Sequence, residues 1–292
     1  MPNYKIIGCS TCDFDQQRMD DLNIAIEPMS FSINGCDYKN YLDNRELPLE
    51  EFFKMLDNGA ISKTTQLNLI EVKDYVRFYL KQDLDILFLS FSSGLSGTYN
   101  SARLAFEELK EEFPNRKLIL IDTLCASSGE GLLDYIAGLN QKNGMSLEEN
   151  AKAIEDMKLK VRHWFTVDEL ETLRRGGRIS TTKALAAKMF NIKPILVVNN
   201  EGKLIATEKK VGHKNALKYL VSRRLEDFDN NYPIVVSNAT NPEDLEYLLK
   251  CINEELNEKN IKAEIIKEKV GPVIGGHTGS SFCAVFTIGK HR

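Results

Sequence analysis

The sequence predicts an α/β protein of two domains, the first with a parallel sheet flanked by helices (Rossmann-like) and the second with a mixed sheet. Two nearly continuous apolar runs, Leu84–Phe91 and Lys117–Asp122, are typical of parallel strands buried on both faces. A helical pattern, Thr98–Leu109, separates them, and strands alternating with helices indicate a parallel sheet. Farther on, Ile195–Val198 and Lys203–Thr207 flank a turn and predict an antiparallel hairpin.

The remaining elements of the first half continue this alternation. Tyr4–Gly8 is predicted to be the first strand, and Gly129–Leu139 to begin a helix after the third strand. Ser146–Glu149 has the sequence of a capping box and opens a helix that reaches about Met157. The sequence changes character there, so we expect domains at residues 1–158 and 159–292, a division that a length of 292 residues accommodates.

The second half also mixes strands and helices, which predicts a second α/β domain. Asn241 is placed to cap a helix with Pro242 at its first position. In chain order the predictions are a strand at Val161–Val167, a helix from Asp168–Glu171 to Gly176–Gly177, the hairpin, a helix at His213–Asp227, a strand at Tyr232–Ser237, a helix at Glu243–Leu256 and a strand at Phe282–Ile288.

Composition excludes several classes of function. The formal net charge is −4, with basic and acidic residues interspersed, which argues against a nucleic-acid partner. The N-terminus lacks an apolar signal core, and no run approaches a membrane span, so we expect a cytoplasmic protein without stable membrane insertion. Its six cysteines should then be reduced, and Cys9 and Cys12 are expected to be ordinary thiols without a metal.

Polar residues collect where predicted strands end, which is where ligands bind in open α/β sheets. Ser92–Thr98 carries three serines and two glycines into a helix start, a position that suits a carboxylate or a phosphate. A simple N-cap at Ser96 explains this loop equally well. Ser62–Gln66 is a second polar patch, and on its own a helix cap is its more common explanation.

Two further patches lie in the second half. Arg174 and Arg175 fall at a predicted helix C-terminus, where cations are favoured in any case. Arg178 follows two glycines, and its guanidinium could pair with a carboxylate in bidentate fashion. Gly275–Ser281 is expected to be a loop before the last strand that gives His277 access to a ligand, although a plain surface loop explains the pattern on its own as well.

Known catalytic motifs are incomplete. Gly94–Thr98 lacks the last glycine of a nucleophile elbow, and Gly129–Asp134 lacks the last glycine of a dinucleotide fingerprint. The sequence contains neither a P-loop nor an HExxH motif. The sequence leaves open a hydrolytic pair formed by Ser96 and His277, because catalytic triads are defined by their arrangement in space and not by sequence order.

The four patches together resemble the DegV family of bacterial fatty-acid-binding proteins. Two motifs carry most of the resemblance, S-S-G-L-S-G-T-Y at Ser92–Tyr99 and G-G-R-I-S at Gly176–Ser180. Weaker matches stand in the family's order along almost the whole chain, at Thr64–Gln66, Gly129–Gly131, Lys193–Leu196 and Gly276–Gly279.

The resemblance implies a carrier, not an enzyme, that binds one long-chain fatty acid in a buried tunnel and needs no cofactor. It also implies a partner, the catalytic subunit of a fatty acid kinase, which would phosphorylate the bound lipid. The carboxylate would be held by hydroxyls of the first domain and by an arginine and a histidine of the second. The candidate binding residues are Thr64, Thr65, Ser93, Gly94, Ser96, Arg178, His277 and Thr278.

Some positions depart from the family's pattern. Cys9-Ser10 stands where the family usually has Asp-Ser, and Thr278–Ser281 replaces a G-P-G turn. These changes leave the expected carboxylate ligands largely in place and bear on the preferred lipid and on the contact with the kinase. The residues themselves leave two alternatives open. One is an esterase or acyl-transferase that uses Ser96 and His277, and the other, because helix N-termini accept phosphate as readily as carboxylate, is a binding protein for a phosphorylated ligand.

Overall fold

The computed structural model describes residues 3–179, 191–222, 225 and 227–292. Short 3-10 turns lie at Ser10–Cys12 and Lys158–Lys160. The strands are β1 (Tyr4–Cys9), β2 (Ile24–Glu27), β3 (Ser30–Ile33), β4 (Cys36–Lys39), β5 (Ser62–Thr65), β6 (Asp85–Ser90), β7 (Leu118–Asp122), β8 (Val161–Thr166), β9 (Ile192–Val198), β10 (Leu204–Val211), β11 (Ile234–Asn238), β12 (Ile265–Lys269) and β13 (Cys283–Ile288). The helices are α1 (Gln16–Asp21), α2 (Leu49–Asp57), α3 (Leu69–Leu80), α4 (Thr98–Glu112), α5 (Ser128–Lys142), α6 (Leu147–Met157), α7 (Glu171–Arg175), α8 (His213–Ser222), α9 (Pro242–Glu258) and α10 (Pro272–Thr278).

The first sheet is parallel, as predicted. Its strand order is β2-β1-β6-β7, and every neighbouring pair runs in the same direction. Strand β6 is buried from Ile86 to Ser90, which explains its unbroken apolar run. Helices α3, α4 and α6 pack against β6, and α5 packs against β1. The capping box that was predicted for α6 forms, since Ser146 and Glu149 exchange hydrogen bonds.

The second sheet is mixed and has the order β10-β9-β8-β13-β11-β12. All neighbouring pairs are antiparallel except β11 and β12, which are parallel. The predicted hairpin is β9–β10, and its turn closes where the Asn199 N–H donates to the Lys203 carbonyl at 2.9 Å. Gly202 has a φ of +71° in this turn, a conformation that favours glycine. The predicted α/β fold with one parallel and one mixed sheet is thus confirmed.

The sequence did not predict a third, antiparallel sheet with the order β4-β3-β5. Its strand β5 contains Thr64 and Thr65, so the expectation that Ser62–Gln66 caps a helix is wrong. The cap of α3 is Asn68, which accepts hydrogen bonds from the first turn and forms a capping box with Glu71. Strand β5 is short and polar, with alternating exposure, and packs beside α10.

The two halves of the chain are in extensive contact. Helix α5 packs on β1 of the parallel sheet and also on β8, β11 and β13 of the mixed sheet. Between the halves, Ser128 Oγ lies 2.6 Å from Ser237 Oγ, and Arg18 Nε lies 3.3 Å from Glu268 Oε1. The parallel sheet and the mixed sheet form on either side of residue 158, and the division into domains 1–158 and 159–292 stays a prediction. In the described part of the chain, no helix is long and apolar enough to cross a bilayer.

Candidate functional site

A cavity lies where the two halves meet. The space that it encloses, including the open volume at its mouth, is about 690 Å³. Ligand pockets are typically concave and mostly apolar, with a few polar groups that orient the ligand, and this cavity has that composition. Most of its wall is apolar, with contributions from Phe91, Leu95, Phe165, Val273, Phe282 and Phe286.

One end of the cavity is polar. His277 Nε2 lies 2.8 Å from Thr64 Oγ1, which joins α10 to β5. Arg178 donates from Nε to the carbonyl of Leu95 at 3.1 Å and from Nη1 to the carbonyl of Gly176 at 2.5 Å. Ser96 also lines this wall, next to Leu95. The chain thus brings two hydroxyls, an imidazole and a guanidinium to one place, from both of its halves.

His277 lies in helix α10 and not in a loop, so the expectation of a loop at Gly275–Ser281 is wrong for its first part. Glycines disfavour helices, but Pro272 at the first position favours a helix start. A Cβ atom on Gly275 would lie 2.7 Å from the Phe53 ring, and one on Gly276 would lie 2.9 Å from Ser62 Oγ. These glycines let α10 approach α2 and β5 closely, which brings His277 within reach of Thr64.

Gly176 lies against the other side of the His277 imidazole. A Cβ atom on this glycine would lie 2.3 Å from His277 Nδ1, closer than real contacts allow. Gly177, next along the chain, has a φ of +72° and redirects the backbone after α7. The pair of glycines thus makes room for His277 and turns the chain so that Arg178 faces the cavity.

The electrostatics of this end rest on Arg178. Among the described residues that line the cavity, it is the only one with an Asp, Glu, Lys or Arg side chain. Burial lowers the pKa of Arg178, although a guanidinium keeps its charge at any physiological pH. Burial, and to a lesser degree the charge of Arg178, lowers the pKa of His277 to about 4. His277 is therefore neutral at pH 7, and Arg178 supplies the positive charge.

The loop before α4 combines capping with packing. The N-cap of α4 is Gly97, and Ser96 Oγ accepts a hydrogen bond from the Thr98 N–H at 3.3 Å. Ser92 donates to the carbonyl of Gly202 at 2.8 Å and so ties this loop to the β9–β10 turn. A Cβ on Gly94 would lie 2.6 Å from the carbonyl oxygen of Glu201, so only glycine fits there.

The predicted site residues divide into two groups. Those that line the cavity are Thr64, Ser96, Arg178, His277 and Thr278, and those that do not are Thr65, Ser93 and Gly94. Thr278 donates its hydroxyl to the carbonyl of Ile274 at 3.1 Å. Thr65 and Ser93 are exposed. Ser180, at the end of the G-G-R-I-S motif, lies outside the described residues.

Two polar residues of the wall, Ser127 and His163, escaped the sequence reasoning. Gln66, which also lines the wall, lies in the patch and the motif that the sequence identified but was not among the candidate binding residues. Ser127 follows the C-terminal end of β7, a position where ligand-binding residues are common, so the rule that found the other loops could have found it. His163 sits inside β8 between Arg162 and Trp164, and nothing in the sequence distinguishes it from a core histidine.

The CxxC pair lies away from polar solvent. Cys9 and Cys12 are both fully buried free thiols, and burial raises the pKa of each well above its usual value. Thiolates, not thiols, bind metals and attack electrophiles, so these cysteines are poorly suited to either role. The described residues contain no group of three or more His, Cys, Asp or Glu side chains arranged to hold a metal ion.

The geometry of Ser96 and His277 differs from that of a catalytic pair. Within the described residues, Ser96 Oγ is engaged by Thr98, whose Oγ1 lies 3.0 Å away, while His277 Nε2 is engaged by Thr64. His277 Nδ1 faces Gly176 and not a carboxylate. A hydrolytic triad needs a base in contact with its nucleophile and a third group that orients the base.

Comparison with known proteins gives matches over the whole chain. The profile of a family described as "Uncharacterised protein, DegV family" matches residues 3–290. A DegV domain-containing protein of Clostridium perfringens is 37% identical over 295 residues, which cover 100% of this chain and 99% of that protein.

Solved structures match as well. The structure described as "Fatty Acid Binding of a DegV family Protein from Thermus thermophilus" has a TM-score of 0.83 and 26% identity, covering 98% of this chain and 99% of that one. The structure of DegV, a fatty acid binding protein from Bacillus subtilis, has a TM-score of 0.83 and 25% identity, with coverage of 99% and 100%.

Proposed function

This chain belongs to the DegV family, and we propose that it binds a long-chain fatty acid whose carboxylate lies beside Arg178. One observation carries the proposal. Arg178 is the only charged side chain among the described residues lining a cavity that is otherwise mostly apolar. A ligand with one anionic end and a long apolar body complements such a cavity.

The head group would be held by several donors at once. A guanidinium has five N–H donors, and the Leu95 and Gly176 carbonyls engage two of the nitrogens of Arg178, so a carboxylate can still be bound. Ser96 and Thr64 would add hydroxyl donors, and neutral His277 would orient Thr64. Thr65, Ser93 and Gly94 would then shape the site from outside the cavity, and Thr278 would contribute through its place on α10.

The acyl chain would extend along the apolar wall in a buried tunnel. Each methylene removed from water contributes about 0.8 kcal/mol, so a long chain could remain bound through purification. Phe91, Phe165, Phe282 and Phe286 offer the large apolar surfaces that such a chain requires.

We propose that the protein is a carrier that presents this lipid to a separate fatty acid kinase. Ser96 lies within hydrogen-bonding distance of Thr98, and His277 within hydrogen-bonding distance of Thr64. These separate contacts support a binding role over the esterase or acyl-transferase alternative. A cytoplasmic location is part of the proposal, and the free thiol state of the six cysteines is what that compartment favours. No cofactor is needed for binding of this kind.

Mass spectrometry of the purified protein tests the proposal directly. Under native conditions we expect an adduct of one lipid per chain, which organic extraction releases as a fatty acid. A ligand-free mass, together with no uptake of added stearate or oleate, would refute fatty acid binding. Hydrolysis of a chromogenic acyl ester that disappears in Ser96→Ala would instead favour the esterase.

The kinase partnership needs its own assay. We expect the lipid-loaded protein, mixed with the catalytic subunit of a bacterial fatty acid kinase and ATP, to yield an acyl phosphate that hydroxylamine traps as a hydroxamate. Lipid binding without any hydroxamate, in a mixture where another DegV carrier does support turnover, would limit the function to storage or transport.

A further inference from the structure

The cavity has a second polar position on its wall, separate from the Arg178 end. It consists of Ser127 and His163, both of which line the cavity and are almost fully buried. The other polar residues of the described wall are Thr64, Gln66, Ser96, Arg178, His277 and Thr278. An all-hydrocarbon chain would form no hydrogen bond with polar atoms here, whereas a ligand with a polar group in this part of its chain could.

Ser127 is held in one orientation by Asp13. It donates its hydroxyl proton to Asp13 Oδ2 at 2.6 Å, and the other oxygen of Asp13 accepts the N–H of Gly271 at 2.8 Å. Because the Ser127 proton points to Asp13, the lone pairs of the Ser127 oxygen are left to accept a hydrogen bond. Ser127 also has a φ of +53°, an uncommon conformation for a residue other than glycine.

His163 is held in a single tautomer. Its Nδ1 lies 3.2 Å from the carbonyl of Val161 and must donate there, so Nε2 accepts the N–H of Ala126 at 3.3 Å. A Cβ atom on Gly129 would lie 2.2 Å from Nε2, so the glycine makes room for the ring. His163 thereby fixes the backbone on the N-terminal side of Ser127.

Helix α10 runs between Gly271, which Asp13 links to Ser127, and His277 at the Arg178 end of the cavity. Gly271 precedes the first residue of α10, and His277 lies in its last turn. Six residues at 1.5 Å per residue place these ends about 9 Å apart. Val273 and Ile274 line the wall between them. An acyl chain that runs from Arg178 along this wall would reach the Gly271 end of α10 about 9 Å from its head-group end. Ser127, which Asp13 links to Gly271, would then face the middle part of the chain and not its carboxyl end.

We propose that the cavity accepts fatty acids that carry a hydroxyl group in mid-chain, with the Ser127 oxygen accepting a hydrogen bond from that hydroxyl. This inference rests on the proposed function and adds a ligand class to it. Ser127 and His163 already have partners, so an unsubstituted chain can pass them without leaving a protein donor unpaired. Elsewhere along the apolar wall, a ligand hydroxyl would be buried without a partner, which weakens binding by about tenfold or more.

Competition binding with a positional series tests the proposal. The probes are stearate and hydroxystearates whose hydroxyl is moved stepwise from the carboxyl end to the methyl end. We expect the wild-type protein to bind at least one mid-chain isomer within about threefold of stearate, and isomers on either side about tenfold more weakly. Ser127→Ala should lower the ratio of hydroxystearate to stearate affinity about tenfold, whereas Ser222→Ala on α8, a remote control, should keep the wild-type ratio.

The possible results distinguish a failure of the proposed hydroxyl site from a failure of the proposed fatty acid function. If every hydroxyl isomer binds at least tenfold more weakly than stearate, or if Ser127→Ala keeps the wild-type ratio, the second polar position has no such role. The wild-type series decides the matter even if Ser127→Ala does not fold. If stearate itself does not bind, it is the proposed fatty acid function that fails.

Discussion

Replacing Arg178 by alanine should weaken the binding of a fatty acid far more than the binding of the corresponding alcohol. The guanidinium is the only charge on the described cavity wall, and its effect depends on a negative charge on the ligand. Stearate and stearyl alcohol differ only at that group. Two proteins and two ligands therefore form a double-mutant cycle that isolates the interaction between Arg178 and the carboxylate.

The size of this coupling follows from the surroundings of Arg178. Hydrogen bonds to charged groups contribute about 1.5–3 kcal/mol. Arg178 is only partly buried, so solvent screening should keep the coupling near the lower part of that range. We expect about 1.5–2 kcal/mol, which corresponds to a loss of about ten- to thirtyfold in affinity. Arg178→Lys keeps the charge but loses the planar fork and should fall between wild type and alanine.

Displacement of a fluorescent fatty acid from delipidated protein measures the four affinities. Arg174→Ala is the matched control, because Arg174 is exposed, lies four residues earlier and pairs with Glu171 at 2.6 Å outside the cavity. Circular dichroism should show Arg178→Ala as folded, since burial already disfavours the charge of Arg178 in the empty protein. A coupling below about 0.5 kcal/mol in folded protein would refute the placement of the carboxylate at Arg178.

Three further predictions concern a glycine beside His277, a buried carboxyl group of α5 and the effect of the bound lipid on stability. Gly176→Ala would bring a Cβ to 2.3 Å from His277 Nδ1, so we expect weaker binding of stearate in a displacement assay with little change in the far-ultraviolet spectrum. Burial raises the pKa of Asp134 well above 3.8, so the folded state keeps a proton that the unfolded chain releases, and stability should fall as pH rises above about 4. Urea denaturation should therefore find Asp134→Asn equal to wild type near pH 4 but more stable by at least about 1 kcal/mol near pH 8, and parallel pH profiles would contradict this. Delipidation should lower the unfolding free energy, and restoring stearate to 100 times its Kd should recover about 2.7 kcal/mol, seen as a shift of the thermal midpoint.

The sequence predicted correctly those elements whose local sequence pattern matches the surroundings that they have in the folded chain. Strand β6 is an apolar run buried on both faces, and α6 begins with a capping box that forms as written. Helix α10 was missed because Gly275 and Gly276 lower helix propensity, while their real role is close packing against Phe53 and Ser62. That role depends on partners more than 200 positions away in the sequence, which no local pattern reveals.

The sequence could identify those site residues that lie in loops and have no structural explanation such as helix capping. Arg178 follows two glycines and has no capping explanation, so the sequence singled it out, and its side chain lines the cavity. Ser127 and His163 were missed because a serine before a helix and a histidine inside a strand are ordinary features of a sequence. Whether their side chains face a cavity depends on how α5 and β8 pack, which only the folded chain decides.

The polar end of the cavity is itself a contact between the two halves of the chain. Arg178 of the second half donates to Leu95 of the first, and His277 of the second meets Thr64 of the first. Helix α10 is held at its other end by Asp13, again from the first half. The groups that would bind a carboxylate therefore take their positions only when the halves are packed together. A substitution that loosens this packing should weaken lipid binding without touching the lipid, and a bound lipid should in turn hold the halves together, because linkage acts equally in both directions.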